Sequence, residues 1–215
     1  MTRDTMIRRV AKPVVFTLSL LPLAWVVWAV VTGNLGGGLN ANPVETVNRF
    51  LGDWALRFLL IALSVTPLVR ISGWSTPVRF RRMLGLFAFA YGFLHVANYI
   101  VADQFFNWTD IWADIVKRKF ITVGMVTIVI LGVLAATSPK GVIKRLGAKR
   151  WRTLHRGAYI AGIGAVVHYW MMVKADLTQP AIHAGILMFL LGYRLIKSRS
   201  KSPAPSRRSA KMQTV

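Results

Sequence analysis

Four histidines hold most of the chemistry open to this chain of 215 residues, which has no cysteine. A neutral imidazole is a common nitrogen ligand for iron and other transition metals. His95 and His168 fall inside long apolar stretches, where ionisable side chains are costly and mark functional sites. At 1.5 Å per helical residue, His95 lies about 10 Å before the end of its stretch near Ala102, and His168 about 8 Å before Val173. Each ends a stripe of small residues on one helical face, Gly92, Ala88 and Gly85 for His95, and Gly164, Ala161 and Gly157 for His168. Such stripes let helices pack closely, or leave room for a flat apolar macrocycle held edge-on. Tight packing needs no imidazole, so the histidines favour the second use, as the two axial ligands of a b-type haem suited to one-electron transfer. The competing reading is that both rings hydrogen-bond neighbouring helices. A bare zinc ion is disfavoured, because neither acid nor thiolate accompanies them in the apolar stretches.

His155 stands thirteen residues before His168, about 20 Å along a continuous helix, and is the third suspect, for a second haem or for electron entry. Thirteen residues do not return to the same helical face, and the positions that would oppose it on the preceding histidine stretch are Arg81 and Arg82. The plainer role is an interfacial imidazole pairing with a loop carbonyl or lipid headgroup. His183 lies at the start of a later stretch and suits a hydrogen bond to the loop or to a propionate. Arg57 is placed to snorkel or to pair with a propionate. Arg81, Arg82, Arg152 and Arg156 fall where a flavin phosphate, a quinone or an acidic partner would approach, though simple anchoring accounts for them as well.

The elements that must position these groups are membrane helices. Hydrophobic residues make up 54% of the chain and charged residues 16%, against roughly 25% charged in soluble domains, and mean hydropathy is +0.48. Six spans are predicted, at Val14–Val31, Trp54–Ile71, Met83–Ala102, Phe120–Ala136, His155–Val173 and Ala181–Ile196, each near the length that crosses about 30 Å of hydrocarbon. The predicted fold is therefore an all-α polytopic bundle over residues 1–197, followed by a disordered basic tail over 198–215. The first span is read as an anchor and not a signal peptide. With both termini cytoplasmic, 22 of the 28 Lys and Arg residues fall on the inner side, while six of the seven acids fall outside. That asymmetry is the positive-inside pattern, so the formal charge of +21 is explained by membrane lipids without nucleic acid. No Walker, Rossmann or HExxH motif is present.

Three stretches, RRMLGLFAFAYGFLH (Arg81–His95), LAATSPKG and RLGAKRWRTLHRGAYIAGIGAVVHYWMMVK (Arg145–Lys174), carry a resemblance to the MsrQ family, formerly YedZ. The WxxLHR motif with a second histidine thirteen residues on is its most specific part. That family supplies the haem-binding membrane subunit of the bacterial periplasmic methionine sulfoxide reductase system. It belongs with the ferric-reductase-like transmembrane domains, which generally carry histidine pairs on the third and fifth helices. The resemblance implies a multi-pass protein of the bacterial inner membrane with His95, His155 and His168 as its family histidines. It also implies b-type haem, one or two, and FMN. Electrons would come from the quinone pool or a cytosolic flavin reductase and pass to MsrP, a periplasmic molybdopterin enzyme, met near the Asp103–Asp114 loop. The missing inner histidine on the third span departs from the wider group. A docking subunit without cofactor and a small-solute transporter are the competing classes, and neither would show a haem spectrum.

Overall fold

A computed structural model describes residues 3–34 and 42–199, and the tail expected over 198–215 lies from residue 200 onward outside the described residues. The described chain is helical without strands, in keeping with the expected all-α membrane bundle. Its helices are α1 (Lys12–Val31), α2 (Pro43–Ser72), α3 (Arg81–Asn98), α4 (Trp108–Lys117), α5 (Lys119–Ala136), α6 (Lys140–Leu146), α7 (Ala148–Leu154), α8 (Gly157–Met172) and α9 (Thr178–Arg199). α1 continues a shorter helical lead from Arg3, and α3 runs on through a wider π-helical turn, Tyr99–Asp103.

Five stretches, Asp4–Val31, Pro43–Ser72, Arg81–Asp103, Lys119–Ala136 and Thr178–Lys197, are long and apolar enough to cross a membrane. α8, on the fifth predicted span, has 16 residues, about 24 Å, which falls short of a typical hydrocarbon core. His155 is not part of it. The ring belongs to the turn after α7, two residues before α8 begins at Gly157, so the helix expected over His155–Val173 is observed over Gly157–Met172. The second predicted span is also revised. Its helix starts at Pro43, eleven residues before Trp54, because Asn42 Oδ1 accepts from the Glu45 N–H at 3.1 Å, proline occupies the first turn and Glu45 complements the helix dipole. Its far end closes on Gly73 in the left-handed region, φ 70°.

α2 contributes more of the core than any other helix, with Leu51, Phe58, Leu63 and Val65 all nearly excluded from solvent. It packs along α3 and also touches α1, α8 and α9, while α5 packs along α8. Ala88 on α3 and Ala161 on α8 are fully buried, so the lower parts of the small-residue stripes serve close packing. A Cβ on Gly164 would collide with Thr127, and one on Gly157 would meet Ile130 and Leu134 in ordinary contact.

At both helix prolines a side chain pairs with main-chain groups of the helix. Beside Pro22, the Tyr91 hydroxyl enters the α1 ladder, donating to the Ser19 carbonyl at 2.9 Å and accepting from the Leu23 N–H at 3.0 Å. A side chain inserted into the i→i−4 ladder next to proline is a recognised cause of a helix kink. Tyr91 is 1% exposed, so Tyr91→Phe would leave both groups unpaired away from water. The expected cost is about 1–3 kcal/mol, read as a lowered midpoint of thermal unfolding in detergent. Pro67 lacks the N–H that would bond Leu63, and Arg194 Nη2 donates to the Leu63 carbonyl instead, at 2.6 Å.

Candidate functional site

His95 on α3 and His168 on α8 meet at one end of the bundle, with ring centroids 6.2 Å apart and planes at 81°. Each is held by a main-chain carbonyl of a different helix. His95 Nδ1 lies 2.9 Å from the Asn48 oxygen of α2, and His168 Nδ1 lies 2.7 Å from the Phe120 oxygen of α5. A carbonyl only accepts, so both Nδ1 atoms must carry the proton, and in the neutral ring the lone pair then sits on Nε2. Neither Nε2 hydrogen-bonds to a described residue. An imidazole that donates its far N–H to a carbonyl is oriented and made more basic for a metal.

The same local device holds both rings. Four residues after Asn48 comes Gly52, and four after Phe120 comes Gly124. Within a helix the carbonyl of residue i bonds the N–H of i+4, and here a ring from another helix reaches the same oxygen across an i+4 position that carries no side chain. A Cβ at Gly52 would lie 3.2 Å from His95 Nδ1, and one at Gly124 only 2.8 Å from His168 Nδ1. The glycines are therefore the seats against which the rings rest.

A cavity of about 320 Å³ includes both imidazoles and is walled by α2, α3, α5 and α8. Leu56, Leu59, Ile128 and Leu131 give it an apolar wall. Asn48 Oδ1, on the same wall, is buried with no hydrogen-bond partner among the described residues. Two cations line the cavity, Arg49, paired with Glu45 at 2.6 Å, and Arg118, paired with Asp114 at 3.1 Å. Asp114 also accepts from the Tyr99 hydroxyl at 2.9 Å. α4, unforeseen in the Asp103–Asp114 loop, carries this aspartate. Arg49 and Arg118 were missed from sequence because the first lay in an expected loop and the second read as a span flank.

The arrangement fits a haem. With metal–imidazole bonds of about 2.0–2.1 Å and ring centres about 1.1 Å behind the nitrogens, two imidazoles opposed across one metal have centroids about 6.3 Å apart. Two nitrogens are too few for a bare ion, which ordinarily takes four or more donors, and among the described residues no group of three His, Cys, Asp or Glu could hold one. A macrocycle would bring the remaining donors itself, and the orphaned amide and the two arginines give its polar edge something to meet.

The other predicted residues are elsewhere. Arg57 lies over the Trp54 ring at 5.1 Å and 4.0 Å from Asp53, lining a shallow groove with Leu18, Pro22 and Trp25 that does not include the histidines. Asp53 itself is not simply an outer-face charge, since it sits within α2 and lines the cavity with Tyr169. His183 is buried, with Nδ1 2.7 Å from the Gln179 oxygen and its ring edge-on to Tyr169. It donates to its own helix and is not part of the cavity lining. His155 occupies the opposite end of the bundle, stacked on Trp151 at 4.0 Å with Nε2 3.1 Å from Thr137 Oγ1. Thr137 donates to the Val133 carbonyl at 2.8 Å, so it accepts from His155, and that imidazole faces no second histidine among the described residues. Arg81 reaches Thr66 Oγ1 at 3.3 Å and Arg82 the Ser138 carbonyl at 3.4 Å, while Arg152 is exposed on α7. These three arginines share the end remote from the histidine pair.

Residues 51–166 match the family model described as ferric reductase like transmembrane component. The chain is 51% identical to the protein-methionine-sulfoxide reductase heme-binding subunit MsrQ of Rhodospirillum rubrum, over 92% of this chain and 95% of that one. It is 44% identical to the same-named subunit of Xanthomonas euvesicatoria pv. vesicatoria, covering 93% and 92%. The corresponding subunit of Caulobacter vibrioides is 44% identical, with 83% of each chain covered.

Proposed function

Because the chain belongs to the ferric reductase like transmembrane family and, within it, to the MsrQ heme-binding subunits, we propose that it is the haem-carrying membrane subunit of a methionine sulfoxide reductase system. It is a multi-pass membrane protein, and its task is electron transfer across the bilayer to a separate catalytic subunit. The observation that carries this reading is the pair of imidazoles 6.2 Å apart at 81°, each with its Nδ1–H given to a main-chain carbonyl.

A b-type haem between His95 and His168 supplies a one-electron iron couple when bound. The chain's own residues do the rest. His95 and His168 present Nε2 as ligands, and Asn48 and Phe120 fix the ring orientation through their carbonyls. The leucines and isoleucines of the wall exclude water, and Arg49 and Arg118 meet the anionic edge of the macrocycle. Arg57, first considered for that last role, lies on another face of α2. His155 lies at the opposite end beside Thr137 and Trp151, away from this site, and electron entry is the role that position supports.

By the positive-inside pattern the basic end faces the cytoplasm of a bacterial inner membrane, and the histidine pair lies toward the periplasm. That orientation suits delivery to the periplasmic molybdopterin subunit MsrP, with quinol or a cytosolic flavin reductase as donor. FMN, implied by the family resemblance, would meet Arg81, Arg82 and Arg152 at the basic end. The decisive experiment is an optical spectrum of detergent-purified protein, oxidised and then reduced with dithionite. Sharp b-type bands in the reduced sample are expected. A folded preparation that takes up no haem when expressed with ample haem supply would reject the proposal.

A further inference from the structure

The short helix α4, between the third and fourth of the five apolar stretches, carries three side-chain stripes with different surroundings. At about 100° per residue, Ile111 and Ile115 share one face. That face meets the bundle, with Ile111 buried and the Thr122 hydroxyl of α5 donating to the Ile115 carbonyl. Asp110, Asp114 and Lys117 form the stripe to one side of it. Asp114 accepts from the Tyr99 hydroxyl at 2.9 Å and pairs with Arg118 at 3.1 Å, so this side turns toward the histidine cavity, which Tyr99 and Arg118 line. Trp108, Trp112 and Val116 form the stripe on the other side, about 170° from the charged one.

The turn before α4 extends that apolar stripe. Phe106 stands 6.3 Å from Trp108, ring to ring. Phe105 and Phe106 hold φ of 46° and 61°, a left-handed backbone that glycine adopts far more readily than a bulky residue. All five side chains, the four aromatic rings and Val116, are between 54% and 79% exposed.

Apolar surface of this extent marks a contact, and its height in the membrane says with what. One span ends at Asp103 and the next begins at Lys119, so α4 lies where the spans leave the hydrocarbon. Its apolar stripe points away from the cavity, sideways from the bundle, at the level where headgroups and acyl chains adjoin. Following directly from α4, α5 exposes Val126, Val129 and Val133 along its length, as a lipid-facing helix does. Tryptophan, an apolar body with one polar N–H, suits that boundary, and a helix with one apolar and one charged side lies in its plane.

We propose that Phe105, Phe106, Trp108, Trp112 and Val116 form a lipid anchor that seats α4 in the leaflet at the histidine end, with the rings among the first carbons of the acyl chains. The partner is phospholipid, held through apolar area and not through one kind of headgroup. Because the opposite side of the helix carries Asp114, lipid contact also fixes the Tyr99–Asp114–Arg118 set beside the cavity. The anchor stands whether or not the cavity holds haem.

The chain has no cysteine, so single substitutions can carry a fluorescent label. Full-length Val116→Cys, Phe105→Cys and Lys117→Cys proteins, each bearing a nitrobenzoxadiazole dye, are placed singly in phosphatidylcholine nanodiscs with or without lipid carrying a nitroxide near the acyl carbonyl. All three positions, and Trp112, are exposed, so these changes leave the core intact. The labels at positions 116 and 105 are expected to be quenched several-fold more by the nitroxide lipid than the label at 117, and several-fold less by iodide in the water. Adding Trp112→Glu should open the label at 116 to iodide with no change in helical circular dichroism. Labels at 116 and 105 that iodide reaches as freely as at 117 would overturn the anchor and leave the face to a soluble protein partner. Protection from both quenchers would overturn it as well, by placing the face against protein. A label at 116 that stays as deep in Trp112→Glu would show that contacts within the bundle, and not lipid, hold α4 in place.

Discussion

His168→Ala is expected to yield a folded, membrane-inserted protein that retains haem only at background level, and His95→Ala the same. Each imidazole makes one hydrogen bond, to a carbonyl that already serves its own helix, so deleting the ring removes a ligand without stranding a buried donor. The cost to the bundle should therefore be small beside the loss of the cofactor. The check is the haem-to-protein ratio from the reduced spectrum, alongside a helical circular dichroism signal that does not change. If both variants kept the parent's haem content and band positions, the two rings would be hydrogen-bonding residues and nothing more. A single histidine variant that keeps a high-spin, five-coordinate spectrum would still identify the other ring as a ligand.

The second large effect is graded and requires no change to a ligand. In Gly124→Ala the new methyl would stand 2.8 Å from His168 Nδ1 and 2.9 Å from Cε1, distances that real Cβ atoms do not tolerate. Helix α5 cannot yield there without disturbing its own ladder, so the ring must swing away from the Phe120 carbonyl. Loss of that orienting bond is expected to weaken cofactor retention by about 10–100-fold. Gly52→Ala brings its methyl to 3.2 Å of His95 Nδ1, a squeeze that a small ring shift can relieve, and the effect should be milder. Gly85→Ala meets nothing within 4 Å and serves as the control, keeping full haem content. A ranking in which Gly85→Ala lost as much haem as Gly124→Ala would show that helix packing, and not the seat of the imidazole, controls the site.

The meeting of His95 and His168 was legible in the sequence because depth in a membrane helix is simple arithmetic. Both were counted from the same side, and rise per residue is fixed. The room around them was only in part where the stripes put it, since Gly92 lines the cavity. Ala88 and Ala161, read as lining a gap, are buried in helix contacts, and the clearance comes from Gly52 and Gly124 on partner helices. A lone glycine in an apolar run carries no periodic signal, and its meaning appears only when another helix crosses it. The early start of α2 was, by contrast, written plainly in Asn42, Pro43 and Glu45, a capping pattern obscured by Arg49, Asp53 and Arg57 when hydropathy alone marks the helix. Arg49 lay on that unrecognised segment. His155 was placed at the correct end of the bundle, and only the turn that sets it two residues before α8 was not foreseen.

Both orienting acceptors belong to the peptide chain itself, and this has an evolutionary consequence. Any amino acid at positions 48 and 120 provides the same oxygen, so point changes there can accumulate without releasing either ring. A one-residue insertion upstream within α2 or α5 is another matter, because it turns the helix by about 100° and carries oxygen and glycine together to a different side. Lineages of this protein should therefore tolerate substitution beside the site and resist changes in helix length.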